Sequence, residues 1–211
     1  MAATMQEDDV VEEEDAGPPA LTFESLGLGS ELWRALSVKG IESPSPVQAA
    51  AIPVGLAGSD VLAQARTGTG KTLAFALPML QRLHDTDRRG RANEDSTGRR
   101  CGMPRGVILA PTRELAIQVE REMVPLAHSL GQKVACLYGG ADIRQQIQQL
   151  RRGVDVVVAT PGRLIDHLKR GSLSFEGADC LVLDEADLML DMGFEQELNA
   201  VLDALPEAPR T

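Results

Sequence analysis

From Phe23 onward, short apolar runs alternate with longer stretches in which apolar residues recur every three or four positions. The short runs predict strands that are buried on both faces; they occupy residues 61–63, 106–110, 134–138, 154–159 and 181–183. The longer stretches predict helices with one buried face; they lie near residues 32–38, 47–56, 71–83, 113–130, 143–150, 162–169 and 194–205. Such alternation is typical of an α/β fold, in which a parallel sheet carries helices on both faces.

Two segments interrupt this alternation. Residues 1–20 are acidic and end in Gly17-Pro18-Pro19, so they have little to bury and are predicted to be a disordered tail. Residues 85–105 are rich in Asp, Arg, Gly, Asn and Ser and predict a long, flexible, exposed loop. The globular region is therefore expected to cover residues 21–211.

The charge of the chain is unevenly distributed. The formal net charge is −10, but residues 1–15 alone contain seven acids and no Lys or Arg. The rest of the chain has 24 acids against 21 bases, so it lacks the strong basic excess of a typical nucleic-acid-binding surface. Any contact with a nucleic acid is therefore expected to use a few individually placed groups, or parts of the protein outside this sequence.

Neither the N-terminus nor the apolar runs indicate secretion or a membrane. No run approaches the ~20 apolar residues that span a bilayer, and the N-terminus lacks the basic and apolar regions of a secretory signal. The cysteines Cys101, Cys136 and Cys180 are odd in number and form no C-x-x-C pair. A disulfide framework or zinc site is therefore not expected, whereas a reducing, intracellular compartment is.

The segment before the predicted helix at 71–83 has the pattern of a phosphate-binding loop. It departs from G-x-x-x-x-G-K-[ST] only at its first position; its residues are Ala65-Arg66-Thr67-Gly68-Thr69-Gly70-Lys71-Thr72. Glycines let successive backbone N–H groups face one anion, and the start of a helix adds partial positive charge. Lys71 is expected to reach the terminal phosphates of a nucleotide, and the Thr72 hydroxyl is expected to ligate Mg²⁺.

Two adjacent carboxylates follow the last predicted strand. Asp184 and Glu185 come directly after residues 181–183, and open parallel sheets bind ligands at the carboxyl ends of their strands. One carboxylate can hold Mg²⁺, and the next can orient and deprotonate an attacking water. Because a phosphate loop precedes them, the pair predicts hydrolysis of a nucleoside triphosphate.

With Ala186 and Asp187, these carboxylates spell the motif that gives the DEAD-box family of ATP-dependent RNA helicases its name. The chain resembles that family over about residues 21–211. The resemblance implies a RecA-like P-loop domain, ATP and Mg²⁺ as cofactors, Glu185 as catalytic base and Asp184 as the Mg²⁺-associated carboxylate. Asp187 takes the position that links the nucleotide site to the other parts of family proteins.

The segment 21–49 resembles the family's Q motif, which recognises adenine. Gln48 takes the position of the glutamine that reads the adenine edge, and Phe23 takes that of the ring that supports the base. A carboxamide suits the donor and acceptor groups of that edge. Two residues depart from the family pattern. Ile41 replaces an aromatic residue and is expected to weaken stacking, whereas Ser45 replaces Thr and keeps the hydroxyl.

Three further segments resemble the family's RNA-facing motifs; they are Pro111-Thr112-Arg113-Glu114-Leu115-Ala116, Gly139-Gly140 and Thr160-Pro161-Gly162-Arg163. Two of them begin predicted helices, whose first turns are ready sites for phosphate; Thr160 suits an N-cap and Pro161 a first helical position. Arg113 and Arg163 can add charged contacts to phosphates. One Trp, one Tyr and four Phe are too few for a base-stacking platform, so the RNA contacts are expected to be with the backbone and independent of base sequence.

The resemblance also implies parts that are not in this sequence. The family's next motif, a Ser-Ala-Thr triplet at a strand end, and its second RecA-like domain are not found before Thr211. In similar sheets the strand with that triplet lies between the strands matched here by 61–63 and 181–183, so we expect a gap between these two. The domain is therefore expected to be incomplete at its C-terminal end, marginally stable alone, and inert without the second domain and RNA.

Three functions are compatible with the phosphate loop: an RNA helicase, a P-loop enzyme outside the helicases, and a catalytically inactive module that binds RNA or protein. The Q motif and the run from Pro111 to Ala116 argue against the second. The RNA helicase and the inactive binding module both remain open. The resemblance does not distinguish nucleus, nucleolus, cytoplasm or an organelle, and it indicates no particular protein cofactor.

Overall fold

A four-stranded parallel sheet forms the centre of the protein in a computed structural model, which describes residues 21–90 and 102–206. Its strands are β1 (Gly106–Leu109), β2 (Val134–Leu137), β3 (Val156–Ala159) and β4 (Cys180–Leu183). They are arranged in the order β2-β3-β1-β4, and every pair is parallel. These strands lie within or within one residue of the apolar runs, so the predicted parallel sheet is confirmed.

Eight helices accompany the sheet within the described residues; they are α1 (Ser30–Val38), α2 (Pro46–Ala57), α3 (Lys71–Gly90), α4 (Arg113–Ser129), α5 (Ile143–Arg151), α6 (Pro161–Lys169), α7 (Ala186–Asp191) and α8 (Glu195–Asp203). Seven of them match predicted helices. The short α7 follows directly on the two carboxylates and was not predicted. None of the described helices is both long and apolar enough to cross a membrane.

Alternate strand residues face two separate cores. Ile108 and Val158 pack with buried residues of α1 to α4, whereas Val107, Leu109 and Val157 pack with buried residues of α5 to α8. Since successive side chains of a strand point to opposite faces, one set of helices covers each face. Strands β1 and β3 are buried at every position for this reason, and their continuous apolar character follows from it.

The apolar triplet at 61–63 does not form the predicted buried strand. Residues 59–66 carry no regular structure, and Leu62 is 102% exposed. A strand needs a hydrogen-bonded neighbour, and β4 pairs only with β1 among the described strands. The expectation that 61–63 and 181–183 do not pair with each other is met.

The predicted loop at 85–105 begins later than expected. Helix α3 continues to Gly90, so the prediction is wrong for residues 85–90. Residues 102–105 connect to β1 without forming a helix or a strand, and residues 91–101 lie outside the described part of the chain. The predicted acidic tail, residues 1–20, also lies outside it, as do residues 207–211.

Candidate active site and nucleic-acid interface

The predicted functional segments meet at one edge of the sheet, where the carboxyl ends of the parallel strands lie. Pro111 to Arg113 follow β1, Gly139 and Gly140 follow β2, and Thr160 follows β3. Asp184 and Glu185 follow β4. The three RNA-facing segments therefore come from the neighbouring strands β2, β3 and β1, and the two carboxylates come from the next strand, β4.

The phosphate loop is joined to the carboxylates by an ion pair. Lys71, the first residue of α3, places its Nζ 2.7 Å from Oε1 of Glu185, and each side chain is 22% exposed. Gly68 and Gly70 both have positive φ, at 80° and 89°. At Gly68 an added Cβ would meet nothing within 4 Å, so this turn of the loop is open. The geometry brings together the predicted phosphate-binding cation and the predicted base.

Within the same loop, Thr69 Oγ1 donates to the carbonyl oxygen of Arg66 at 2.8 Å. Arg66 and Thr67 are exposed, and Thr72 is half-buried in the first turn of α3. The bond from Thr69 closes the turn, so the backbone between Arg66 and Gly70 is curved as a phosphate cradle requires.

Gln48 connects the Q-motif segment directly to the phosphate loop. Its Oε1 accepts the backbone N–H of Ser45 at 2.9 Å, and its Nε2 donates to the carbonyl oxygen of Gly70 at 3.0 Å. The side chain is buried, and a Cβ at Gly70 would clash with its Nε2. Phe23 is buried in the core on the α1–α4 side of the sheet. That Gln48 and Phe23 recognise adenine stays a prediction, and the contact with Gly70 supports a site shared by the two segments.

Glu185 has a backbone conformation that is rare for its residue type. Its φ and ψ are 51° and 49°, and it is the one described residue other than glycine with positive φ. Such strain is concentrated at functional sites, where the surrounding structure maintains it. The backbone N–H of Asp184 continues the sheet by donating to the carbonyl oxygen of Leu109 at 2.9 Å. The chain then turns sharply at Glu185, and α7 begins at the next residue.

Asp184 sits where its negative charge is disfavoured. Burial raises its pKa above the ordinary value, the neighbouring Glu185 raises it further, and the Lys71 ammonium lowers it in part. A divalent cation at Asp184 would relieve this unfavourable environment. No group of three or more His, Cys, Asp or Glu in the described ranges is arranged to hold a metal by itself.

We expect Asp184→Asn to stabilise the fold near neutral pH. Because the pKa of Asp184 is raised on folding, the ionised carboxylate costs stability above pH 3.8, its ordinary value, and costs nothing well below that pH. The variant should melt at a higher temperature than the wild-type chain at pH 7, because its neutral amide does not carry the cost of the ionised carboxylate. The gain should vanish as the pH falls below 3.8, and thermal unfolding at several pH values measures it. A gain that does not depend on pH would contradict this, and Asp203→Asn, at an exposed carboxylate, is the control.

The start of α4 and the loop after β2 lie against each other. Thr112 is the N-cap of α4, and its Oγ1 accepts the backbone N–H of Leu115 at 3.3 Å. The exposed Arg113 guanidinium lies 4.8 Å from the centre of the Tyr138 ring, a favourable cation–π contact. Gly139 and Gly140 are exposed, and an added Cβ at Gly139 would meet nothing within 4 Å. The backbone of this loop is therefore accessible to a ligand.

The start of α6 differs in part from the prediction. Thr160 and Pro161 take the expected N-cap and first helical positions, but the Thr160 side chain makes no capping hydrogen bond. Gly162 is exposed, whereas Arg163 turns back toward the protein. Its NH1 and NH2 both donate to the carbonyl oxygen of Ala141 at 3.2 Å. Contact of Arg163 with phosphate stays a prediction, since two of its nitrogens are already bonded within the protein.

Asp187 is exposed at the start of α7 and does not contact the phosphate loop by a hydrogen bond. Its Oδ1 accepts the backbone N–H of Leu188 at 2.9 Å. The structure therefore brings Lys71, Asp184, Glu185 and Gln48 into one connected site and leaves Asp187 facing solvent. Two polar residues that the sequence did not single out, Gln146 and His167, are buried behind the RNA-facing loops.

Comparison with known proteins yields one family. A model of the DEAD/DEAH box helicase family matches residues 45–211. DEAD-box ATP-dependent RNA helicase 52A of Oryza sativa subsp. japonica is 43% identical over 194 residues, which are 91% of this chain and 32% of that protein. DEAD-box ATP-dependent RNA helicase CshA of Bacillus subtilis (strain 168) is 38% identical over 191 residues, which are 90% of this chain and 36% of that protein. The chain thus spans about a third of the length of these curated relatives.

Proposed function

Because this chain belongs to the DEAD/DEAH box helicase family, we propose that it is the ATP-binding part of an ATP-dependent RNA helicase. In the proposed reaction, RNA-stimulated hydrolysis of ATP is coupled to local unwinding of RNA or remodelling of RNA–protein complexes. A second RecA-like domain and RNA are the proposed partners that complete the site.

One observation carries the proposal. The Lys71–Glu185 ion pair of 2.7 Å joins the phosphate loop to the carboxylates after β4, and the RNA-facing segments follow the next three strands of the same sheet. A nucleotide at the phosphate loop and an RNA backbone across β1, β3 and β2 would therefore lie side by side. Both ligands would then contact ends of the same set of strands, so binding of one could favour binding of the other, and such coupling is reciprocal.

The residues of the nucleotide site have distinct proposed roles. The loop from Ala65 to Gly70 cradles the phosphates with its backbone N–H groups, and Lys71 adds a positive charge at the terminal phosphate. Mg²⁺, held by Asp184 and the Thr72 hydroxyl, supplies charge neutralisation for the phosphates when it is bound. Gln48 lies beside the loop and recognises the adenine base.

Glu185 is the proposed general base. Its carboxylate accepts a proton from a water molecule, whose oxygen forms a bond to the terminal phosphorus while the bond from that phosphorus to the leaving oxygen of ADP breaks. The products are ADP and inorganic phosphate. In the structure the carboxylate is paired with Lys71, so the base becomes free when Lys71 turns to the phosphates.

The proposed RNA site contacts the sugar–phosphate backbone. Exposed backbone at Gly139, Gly140 and Gly162, the half-buried Thr160 and the exposed Arg113 line it. Contacts of this kind hold a strand without reading its bases. Binding is therefore expected to weaken with added salt and to vary little among base sequences.

An ATPase assay on the complete product of the gene, with and without RNA, tests the proposal. We expect phosphate release that depends on RNA and differs little between RNAs of unrelated base sequence. RNA binding without any ATP turnover would support instead the inactive binding module. Strong preference of the core for one RNA sequence would contradict the proposed backbone contacts.

A further inference from the structure

A buried glutamine connects two of the three RNA-facing segments. Gln146 lies on α5 and is 5% exposed. Its Nε2 donates to the carbonyl oxygen of Tyr138 at 3.2 Å, and its Oε1 accepts a hydrogen bond from NH1 of Arg163 at 2.9 Å. Oε1 is also 3.0 Å from Nε2 of His167. One amide thus contacts the loop after β2 and two residues of α6.

These bonds hold the Gly139–Gly140 turn at both ends. Gln146 bonds to the carbonyl oxygen of Tyr138, which precedes the turn. Arg163 bonds to that of Ala141, which follows it. The Tyr138 ring also packs against the guanidinium of Arg113, which lies at the start of α4. The positions of Arg163 and of the turn therefore depend on the orientation of one side-chain amide.

Arg163 and Tyr138 fix that orientation, because a guanidinium can only donate and a carbonyl oxygen can only accept, and His167 reinforces it. The ring of His167 is fully buried, and burial together with the nearby Arg163 charge lowers its pKa, so the ring is neutral near pH 7. Since Oε1 of Gln146 can only accept, the proton must sit on Nε2 of His167. Nδ1 then accepts a hydrogen bond from the Ser172 hydroxyl, 2.8 Å away, and in this tautomer the hydroxyl proton is not donated to the carbonyl oxygen of His167, which lies 3.1 Å from it. With the amide reversed, its NH₂ group would face the Nε2 proton and the Arg163 guanidinium, which is unfavourable.

We propose that Gln146 and His167 are positioning residues for RNA binding, which they support without touching RNA. The inference rests on the proposed RNA site. Gln146 holds the Gly139–Gly140 backbone and the Arg163 guanidinium in one arrangement, and a hydrogen bond from Nε2 of His167 stabilises it. Loss of the amide leaves the turn free to sample other conformations. RNA must then order the turn when it binds, and this ordering lowers the affinity for RNA.

The test compares RNA affinity, nucleotide affinity and thermal stability in the complete chain. The probe is a fluorescently labelled single-stranded oligouridylate, followed by anisotropy. Gln146→Met, which keeps the volume and removes both polar groups, should weaken RNA binding about tenfold, as loss of a supporting contact does elsewhere. Nucleotide affinity should stay within about twofold, because no bond of Gln146 reaches the phosphate loop. Gln148→Met, at an exposed position of the same helix, is the matched control.

A second pair of variants separates positioning from general stability. His167→Leu keeps a buried side chain but removes the donor to Gln146, so RNA binding should weaken severalfold while nucleotide affinity stays within about twofold. His167→Gln offers an amide N–H near the place of Nε2 and should recover most of the RNA affinity. If Gln146→Met also lowers stability or nucleotide affinity, the two His167 variants still show whether the hydrogen bond to Gln146 supports RNA binding.

The outcomes separate this inference from the proposed function. If the wild-type chain binds RNA and both Gln146→Met and His167→Leu bind it as tightly as Gln148→Met, the positioning role is overturned alone. If His167→Leu and His167→Gln bind RNA equally weakly, the role of the Nε2 proton is overturned. If the wild-type chain binds no RNA, the proposed RNA site is overturned, and this inference with it.

Discussion

Replacing Lys71 by Ala should weaken nucleotide binding by at least about a hundredfold. Charge-assisted hydrogen bonds to phosphate are among the strongest polar contacts, and removal of one partner costs ~1.5–3 kcal/mol; 2.7 kcal/mol corresponds to about a hundredfold in affinity. Glu185 would also lose its 2.7 Å partner and would lie unpaired beside Asp184. Its uncompensated negative charge would repel the phosphates, which adds to the loss.

Titration of a fluorescent ATP analogue in the presence of Mg²⁺ measures this affinity. Lys169→Ala, at an exposed lysine at the end of α6, removes the same charge far from the phosphate loop and should leave affinity unchanged. A melting curve of each variant shows whether the loss comes from unfolding. Unchanged nucleotide affinity in a folded Lys71→Ala variant would refute the assignment of the loop.

The sheet could be predicted from sequence because its strands are buried on both faces. Runs such as Val156 to Ala159 have apolar side chains at every position. A short run of this kind is typical of a strand that is covered on both faces of a parallel sheet. The same reasoning failed at 61–63, where the residues are apolar but Leu62 is fully exposed. Apolar character indicates that a segment could be buried, whereas a strand also needs a hydrogen-bonded neighbour, which the local sequence does not reveal.

The nucleotide site was predictable because its residues are adjacent in sequence. The order of glycines before Lys71, and of Asp184 before Glu185, defines the site without any knowledge of tertiary contacts. The ion pair between Lys71 and Glu185 was not predicted, since it joins residues separated by more than 100 positions. The left-handed backbone of Glu185 was also not predicted, because φ values near 51° are rare outside glycine.

The Gln146–His167 pair left a weak signal that could have been used. Each residue occupies a buried position on an amphipathic helix: Gln146 lies four positions before Leu150, and His167 lies three after Leu164. Polar side chains on an apolar face must find partners when they are buried. The sequence therefore marks them as members of a polar network but does not show that they meet each other.

Glu185→Gln should leave ATP binding intact and lower the rate of hydrolysis by about 10²-fold or more. An amide keeps the shape of the side chain but cannot accept a proton from water, and loss of general base catalysis has an effect of this size. The variant also replaces a charge-assisted bond to Lys71 by a neutral one. Because Lys71 must leave position 185 to reach the phosphates, nucleotide affinity should stay the same or increase.

The two measurements together distinguish a base from a structural residue. Steady-state phosphate release with saturating RNA and the Kd of the ATP analogue are compared in the complete gene product. Glu176→Gln changes an exposed glutamate before β4, at the opposite end of that strand, and should alter neither quantity. If Glu185 served only to hold Lys71, its loss would spare turnover at saturating ATP, whatever its effect on nucleotide affinity. A variant that binds ATP normally and still hydrolyses it at the wild-type rate would leave the reaction without its proposed base, and the water would have to be activated by another group.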